Sequence, residues 1–372
     1  MAFSLLLISC LGCSDQSTSE SAEEPIPRTT NAINPTSQKK QNEETARTYA
    51  EFQDQLRRLL SRAGGTIANM ETVTSGDVTV ETVADLIEAL SSAQIGETVF
   101  IRGSARLDLT KQGLLVVPPG VRLASDRGAD TSSGAFLYTN DLSATLFKAG
   151  DGASFVGLNL MGPDPERRGY QMQWLFEEQG AENIYRVPTA TGIEVEGDNV
   201  RIENCEIWGW SRAGVAFEEG SKGGVVRHSF FHHNRRRGLG YGVSVDASEA
   251  LIESNLFDWC RHAVASTGRP GSGYEARYNF VLENANGHSF DVHGGADRED
   301  GTNTAGSWAK IHHNIVVQTT HPAISIRGLP LEEIEIHTNK FAIEDPSFAV
   351  RLRETSERIV VSENEYGAKI MR

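Results

Sequence analysis

From residue 200 onward the apolar and polar positions keep returning to one phrase: a short alternating strand, a small polar residue, then a few residues ending in an apolar one. The polar marker falls at Cys205, Ser229, Asn255, Asn279, Asn314, Asn339 and Asn364, so successive spacings are 24, 26, 24, 35, 25 and 25 residues. The one long interval equals a normal repeat plus about ten residues, which are visible as the polar, glycine-containing stretch 297–306. A period near 25 built from strands, with no 3.6-residue pattern, predicts a β-solenoid in which each repeat is one coil. Five of the seven markers are Asn, and a column of amides can hydrogen-bond up such a stack and tolerate left-handed backbone.

Upstream, Thr82 can cap a helix from Val83 to Ala93 with Val83, Leu86, Ile87 and Leu90 on one face, followed by a strand at 98–102. A second amphipathic helix is predicted over 46–62. The Asn markers and the segment 83–110 resemble the right-handed parallel β-helix superfamily, pectate-lyase-like, with its asparagine ladder and amino-terminal capping helix. The resemblance implies an all-β right-handed solenoid of about ten to eleven coils.

In that superfamily the strand after the turn lines the sheet over which sugar polymers bind. Aligned coil by coil, Val215, Val243, Val264, Phe290, Ile324 and Val350 form an inward column. Alternation then sends Ser244, Ala265, Asp291, Ser325 and Arg351 outward, followed by Asp246, Thr267, His293, Arg327 and Arg353. Asp291, His293 and Arg327 therefore form one exposed cluster. His262 and His288 lie level with each other in neighbouring coils, although strict alternation points them inward unless a loop turns them out. The stretch 267–279 reads as a loop carrying Arg269, Tyr274 and Arg277. Residues 225–280 hold seven Arg, no Lys and five carboxylates. His228, His232, His312 and His337 read as structural or solvated, and Arg235–Arg237 as a solvated run. Cys205 and Cys260 sit two coils apart in different columns, which argues against a disulfide.

Composition sharpens the class. The 372 residues include 35 basic and 50 acidic side chains, a net charge of -15. Such a field repels nucleic acid and anionic membrane surfaces, so no nucleic-acid partner is expected and any anionic partner must be met by a local basic patch. Residues 1–13 resemble a bacterial lipoprotein signal that acylates Cys13 or Cys10, residues 14–46 a solvated tether, residues 47–96 a helical capping region, and residues 97–372 the solenoid. The expected address is the bacterial cell envelope, through a lipid anchor as the one membrane contact, or secretion; a monomer is expected.

Arginines beside His and Tyr suit an anionic polysaccharide, because guanidinium pairs carboxylate or sulfate through two parallel bonds. The leading expectation is a uronate lyase. Arg277, Arg269 or Arg327 would neutralise the carboxylate, His262, His288 or His293 would take the C5 proton, Tyr274 would protonate the leaving oxygen, and Asp291 would orient a histidine. Asp246 and Arg261 complete the candidate substrate contacts. The alternatives are a glycoside hydrolase using Asp246 and Asp291, a metal hydrolase on His262, His288, Asp291 and His293, or a non-catalytic glycan-binding surface. No cofactor is required by the lyase reading; Ca2+ or Zn2+ would enter through the acidic stretch 297–303 or the His cluster.

Overall fold

The computed structural model describes Arg58 and residues 70–130, 132–164, 188–236 and 238–370. The expected signal, tether, second helix and Arg237 lie outside these residues.

Among the described residues, thirty short strands, most of them three to five residues, assemble into three parallel sheets of 11, 10 and 9 strands. Val78–Val80 edges the first sheet; nine coils, beginning with Thr98–Ile101, Arg106–Asp108 and Leu115–Val117, then give one strand to each sheet, and Ile359–Ser362 with Glu365–Tyr366 form a tenth, partial turn. The first sheet is the marker strand, the second follows the tight turn, and the third carries the columns aligned above. Register matches the sequence alignment coil for coil: Val215, Val243, Val264, Phe290, Ile324 and Val350 pair in succession.

The core is three such inward columns. In the first sheet Val99, Leu123, Phe155, Ile202, Val226, Ile252, Ala276, Ile311 and Ile336 stack in register and are fully buried. Burying one such aliphatic side chain is worth roughly 1.5–3 kcal/mol, so each coil stabilises its neighbours and none is stable alone.

The Asn column is a hydrogen-bonded ladder. Nδ2 of Asn255, Asn279, Asn314 and Asn339 donates to Oδ1 of the next Asn at 3.1, 3.0, 3.0 and 2.9 Å. The left-handed residue is not the Asn but the one before the marker: Asn204, His228, Ser254, Tyr278, His313, Thr338 and Glu363 all have φ between 53° and 56°. Each non-glycine residue there costs about 1 kcal/mol or more, which the ladder offsets by satisfying the backbone of the turn.

Helix α1 (Val83–Ser92) begins with a capping box between Thr82 and Asp85 and covers the first coil. It rests on Leu86, Ala89 and Leu90, whereas Ile87, expected on the buried face, is 40% exposed. Two single-turn helices interrupt later coils, α2 (Gly295–Arg298) and α3 (Pro346–Ala349). Cys205 and Cys260 are free, buried thiols, pushed up to about 11 and about 12 by burial.

Candidate functional site

The outer face of the third sheet gathers a carboxylate, three imidazoles and a guanidinium. Asp291, in the strand Phe290–Val292, pairs with Ala265 and Ser325 and faces outward as alternation requires. Arg327 reaches back from the next coil and grips it with both ends, Nε to Oδ1 at 2.9 Å and Nη2 to Oδ2 at 2.7 Å. His293 Nε2 lies 2.9 Å and His262 Nε2 3.3 Å from Oδ2, and His288 Nδ1 lies 3.5 Å from Oδ1. Asp291 is fully buried beneath these groups. Burial alone would raise its carboxyl, but the charge of the Arg327 guanidinium outweighs it and holds the group well below the usual carboxylate range.

His262 turns outward because the strand breaks alternation. Ala263 and Val264 are consecutive, yet both belong to the core, as Val243 does after Gly242, where an added Cβ would strike Phe257. Two inward residues in succession flip the residues before them to the outer face. Tyr241 therefore packs with Ala213, Ala216 and Ala265 on the outer face, and a ring stack runs from Tyr241 to His262 to His288 with centroid spacings of 5.5 and 5.6 Å. His262 is 1% exposed, and its Nδ1 lies 2.6 Å from the His288 carbonyl, an acceptor, so its proton sits on Nδ1. Burial first, then the nearby charge of Arg261, holds its pKa well below the ordinary 6.5. His262 is a packed, neutral support.

His288 and His293 are the accessible imidazoles. Arg327 Nη2 approaches His288 Nδ1 at 3.2 Å; a guanidinium can only donate, so the proton of neutral His288 sits on Nε2. His288 lines an open cavity of about 360 Å³ together with Ser325, Arg327, Arg351 and Arg353. Asp297, from α2, receives Arg327 Nη1 and Arg353 Nη2, each at 3.4 Å. Sequence reading missed Asp297 as an anchor and Tyr241 as the base of the ring stack. An Asp three residues into a Gly-initiated turn was the available signal for the first.

Other expected residues lie elsewhere. Tyr274 is not in a loop: it belongs to the strand Gly273–Arg277 of the first sheet, points into the core between Ala250 and Ala309, and is 1% exposed. The two alanines leave room for its ring, burial followed by the charge of Asp291 raises its hydroxyl pKa, and that hydroxyl makes no hydrogen bond. Arg277 is on the outer face of the same first sheet, paired with Glu253 at 2.8 Å and Glu275 at 2.7 Å. It belongs to a column Glu203, Arg227, Glu253, Arg277, His312, His337 in which charges largely alternate coil by coil. Arg269 is on the right side, one coil before His293, but occupied, bonded to Asp246 at 3.1 Å and Glu219 at 2.8 Å. Thr267 takes the remaining oxygen of Asp246. Arg261 is 7% exposed, behind His262, with Nη1 lacking a hydrogen bond. Arg235 and Arg236 are not a solvated run either: Arg235 lies 4.1 Å over Trp259, and Arg236 is buried against the Pro188 carbonyl.

A divalent ion could draw on His262, His288 and Asp291, whose ligand atoms lie within 4.8 Å of one another. The donor set fits poorly, because the Arg327 guanidinium already provides the cation between Asp291 and His288.

Residues 183–365 match the sequence profile of the family described as right handed beta helix region. The polygalacturonase of Erwinia carotovora ssp. carotovora superposes with a TM-score of 0.54 at 13% identity, over 81% of this chain and 84% of that one. This chain is a right-handed parallel β-helix. An alginate lyase from Paenibacillus sp. is also similar, with a TM-score of 0.48 at 13% identity over 78% of this β-helix and 94% of that chain. So is a surface adhesin of Streptococcus pneumoniae, at 0.48 and 13% identity over 81% and 78%. No curated protein matches this β-helix in a sequence search.

Proposed function

We propose that this β-helix acts on an anionic polysaccharide across the outer face of its third sheet, as a uronate lyase. The observation that carries the reading is the Asp291–Arg327 pair with His288 and His293 at its rim, opening onto a cavity walled by Arg351 and Arg353. Exposed arginines would neutralise the sugar carboxylate, making the C5 proton acidic. His293, set beside Asp291, would take that proton as the bond from C4 to the glycosidic oxygen breaks. His288, which carries its proton on Nε2, would donate to the departing oxygen. The product gains a C4–C5 double bond. Tyr274 and Arg277 have no part in this scheme.

The hydrolase alternative is less well supported, since it needs two available carboxylates. Asp291 is held by Arg327 and Asp246 by Arg269 and Thr267. The fold shared with a polygalacturonase agrees with a sugar polymer as substrate and assigns no residue.

The test is incubation with alginate, pectate, glucuronan and ulvan, read in parallel for ultraviolet-absorbing unsaturated product and for reducing ends. The lyase reading requires the chromophore, abolished in His293→Ala and His288→Ala. Reducing ends without it would replace the lyase by a hydrolase, and binding without turnover would make the surface a glycan-holding one. Lipid anchorage through Cys13 or Cys10 is part of the same proposal, checked by mass spectrometry of the exported protein.

A further inference from the structure

A second imidazole arrangement lies on a different face and is unused by the proposed chemistry. His312 ends the strand Trp308–His312 of the first sheet, and His313 takes the left-handed turn conformation with φ 54°. Consecutive strand residues normally face opposite ways. Here the turn brings the two side chains together, with their Nδ1 atoms 2.8 Å apart. His312 Nε2 lies 3.1 Å from Glu275 Oε1, which also accepts from Arg277 Nη1 at 2.7 Å. Facing a carboxylate, His312 keeps its proton on Nε2 and presents a lone pair at Nδ1. One proton, on His313 Nδ1, then fills the space between the rings.

We propose that His312 and His313 are a two-nitrogen chelate for a divalent transition metal of tetragonal preference, copper(II) or nickel(II), that displaces this proton. Two nitrogens 2.8 Å apart, each about 2.0 Å from an ion, subtend about 90° at it, the cis angle of tetragonal coordination and narrower than a tetrahedral site prefers. A ligating histidine that donates its other N–H to a carboxylate is the usual supporting arrangement of a metal site, and Glu275 provides it. Water would complete the coordination shell.

Two internal comparisons sharpen the assignment. His337 occupies the equivalent position one coil on, but Thr338 stands in place of His313, so the second nitrogen is lost there. His232 and His233 repeat the geometry on the second sheet, 2.8 Å apart with Glu206 at 3.1 Å. There, however, the ring of His233 stacks on Trp259 with the Arg235 guanidinium 4.1 Å over that indole, whereas the ring of His313 meets Tyr278 and His337. That added cation opposes a metal ion, so the chelate belongs to His312 and His313.

The test is titration of the full, tag-free chain with Cu2+ at neutral pH, followed by calorimetry and electron paramagnetic resonance. One equivalent with nitrogen hyperfine structure is expected, and Ni2+ should occupy the same site more weakly, being displaced by Cu2+. His313→Asn, which keeps a residue that tolerates the left-handed turn, should weaken binding tenfold or more with an unchanged circular dichroism spectrum. Glu275→Gln should weaken it about 10- to 100-fold, while His233→Gln and His288→Ala leave it unchanged. Absence of a stoichiometric site, indifference to His313→Asn, or loss with His288→Ala or His233→Gln would each overturn the assignment. None of these outcomes depends on polysaccharide turnover.

Discussion

Replacing Arg327 by Met tests whether the Asp291 pair holds the candidate site together. The guanidinium makes two bonds, 2.9 and 2.7 Å, to a carboxylate with no exposure, and is itself only about one-tenth exposed. Removing one member of such a pair leaves a buried charge without compensation, which costs about 3–5 kcal/mol. The remaining carboxyl would rise in pKa, because burial is the largest influence acting on it once Arg327 is gone. His288 would lose the donor at Nδ1 that fixes its tautomer. The assay is urea denaturation of wild type, Arg327→Met, Asp291→Asn and the double variant. Groups in direct contact couple by up to about 3 kcal/mol, so the double variant should cost clearly less than the two single changes added. A cost below about 1 kcal/mol for Arg327→Met, or simple additivity, would refute the view of Asp291–Arg327 as the keystone.

Four further outcomes follow from the geometry. Tyr274→Phe should keep activity and gain up to about 1–2 kcal/mol in denaturation, because it deletes a buried hydroxyl without a partner. Asn314→Ala should cost about 2–6 kcal/mol, since it removes the donor to the Ala276 carbonyl and the acceptor of the Asn279 backbone amide, and leaves the Asn279 side-chain amide only the Ile252 carbonyl; Asn364→Ala, at the half-buried end of the ladder, should cost less. Thermal stability should fall as pH drops below about 6.5, before carboxylates titrate. Folded His262 resists protonation, and His233, depressed to about 4 by burial and then by His232 and Arg235, resists it as well. The unfolded chain takes up those protons and the folded one does not; a flat melting temperature from pH 7 to 4.5 would contradict this. Arg351→Glu with Arg353→Glu should raise KM for a charged substrate at least tenfold while leaving the fold intact, and an unchanged KM would remove the arginines from the binding surface.

The solenoid was legible because its determinants repeat. Each Asn marker reports the same turn, and an error in one coil is corrected by the next. The outward positions of Asp291, His293 and Arg327 followed from period-two alternation. What local pattern could not supply was any departure from that period. His262 faces outward through the paired inward residues Ala263 and Val264, a local break in alternation shared with the neighbouring strand, where Gly242 lies against Phe257. Tyr274 looked like a loop residue because Gly and Pro precede it. Its burial depends on Ala250 and Ala309, small residues 24 and 35 positions away that only the register brings above and below it. Arg277 obeys alternation but on another sheet, and a positive charge in sequence said nothing of the two glutamates that claim it.

The net charge of -15 takes on meaning once it is distributed along the third sheet. Its outer face carries Glu194 and Glu218 in the third and fourth coils and Asp246 in the fifth, then Arg327, Arg351 and Arg353 in the eighth and ninth. These first carboxylates are largely compensated: Glu194 stands level with Lys148, Glu218 is bonded to Arg212 at 2.6 Å and Asp246 to Arg269 at 3.1 Å. An anionic polymer laid along the whole sheet would therefore find no net attraction over its first half. The exposed Arg351 and Arg353 favour a chain that crosses the sheet over the seventh to ninth coils, where His288 and His293 stand. Under this arrangement the Arg351 and Arg353 reversals remove the attraction without touching Asp291.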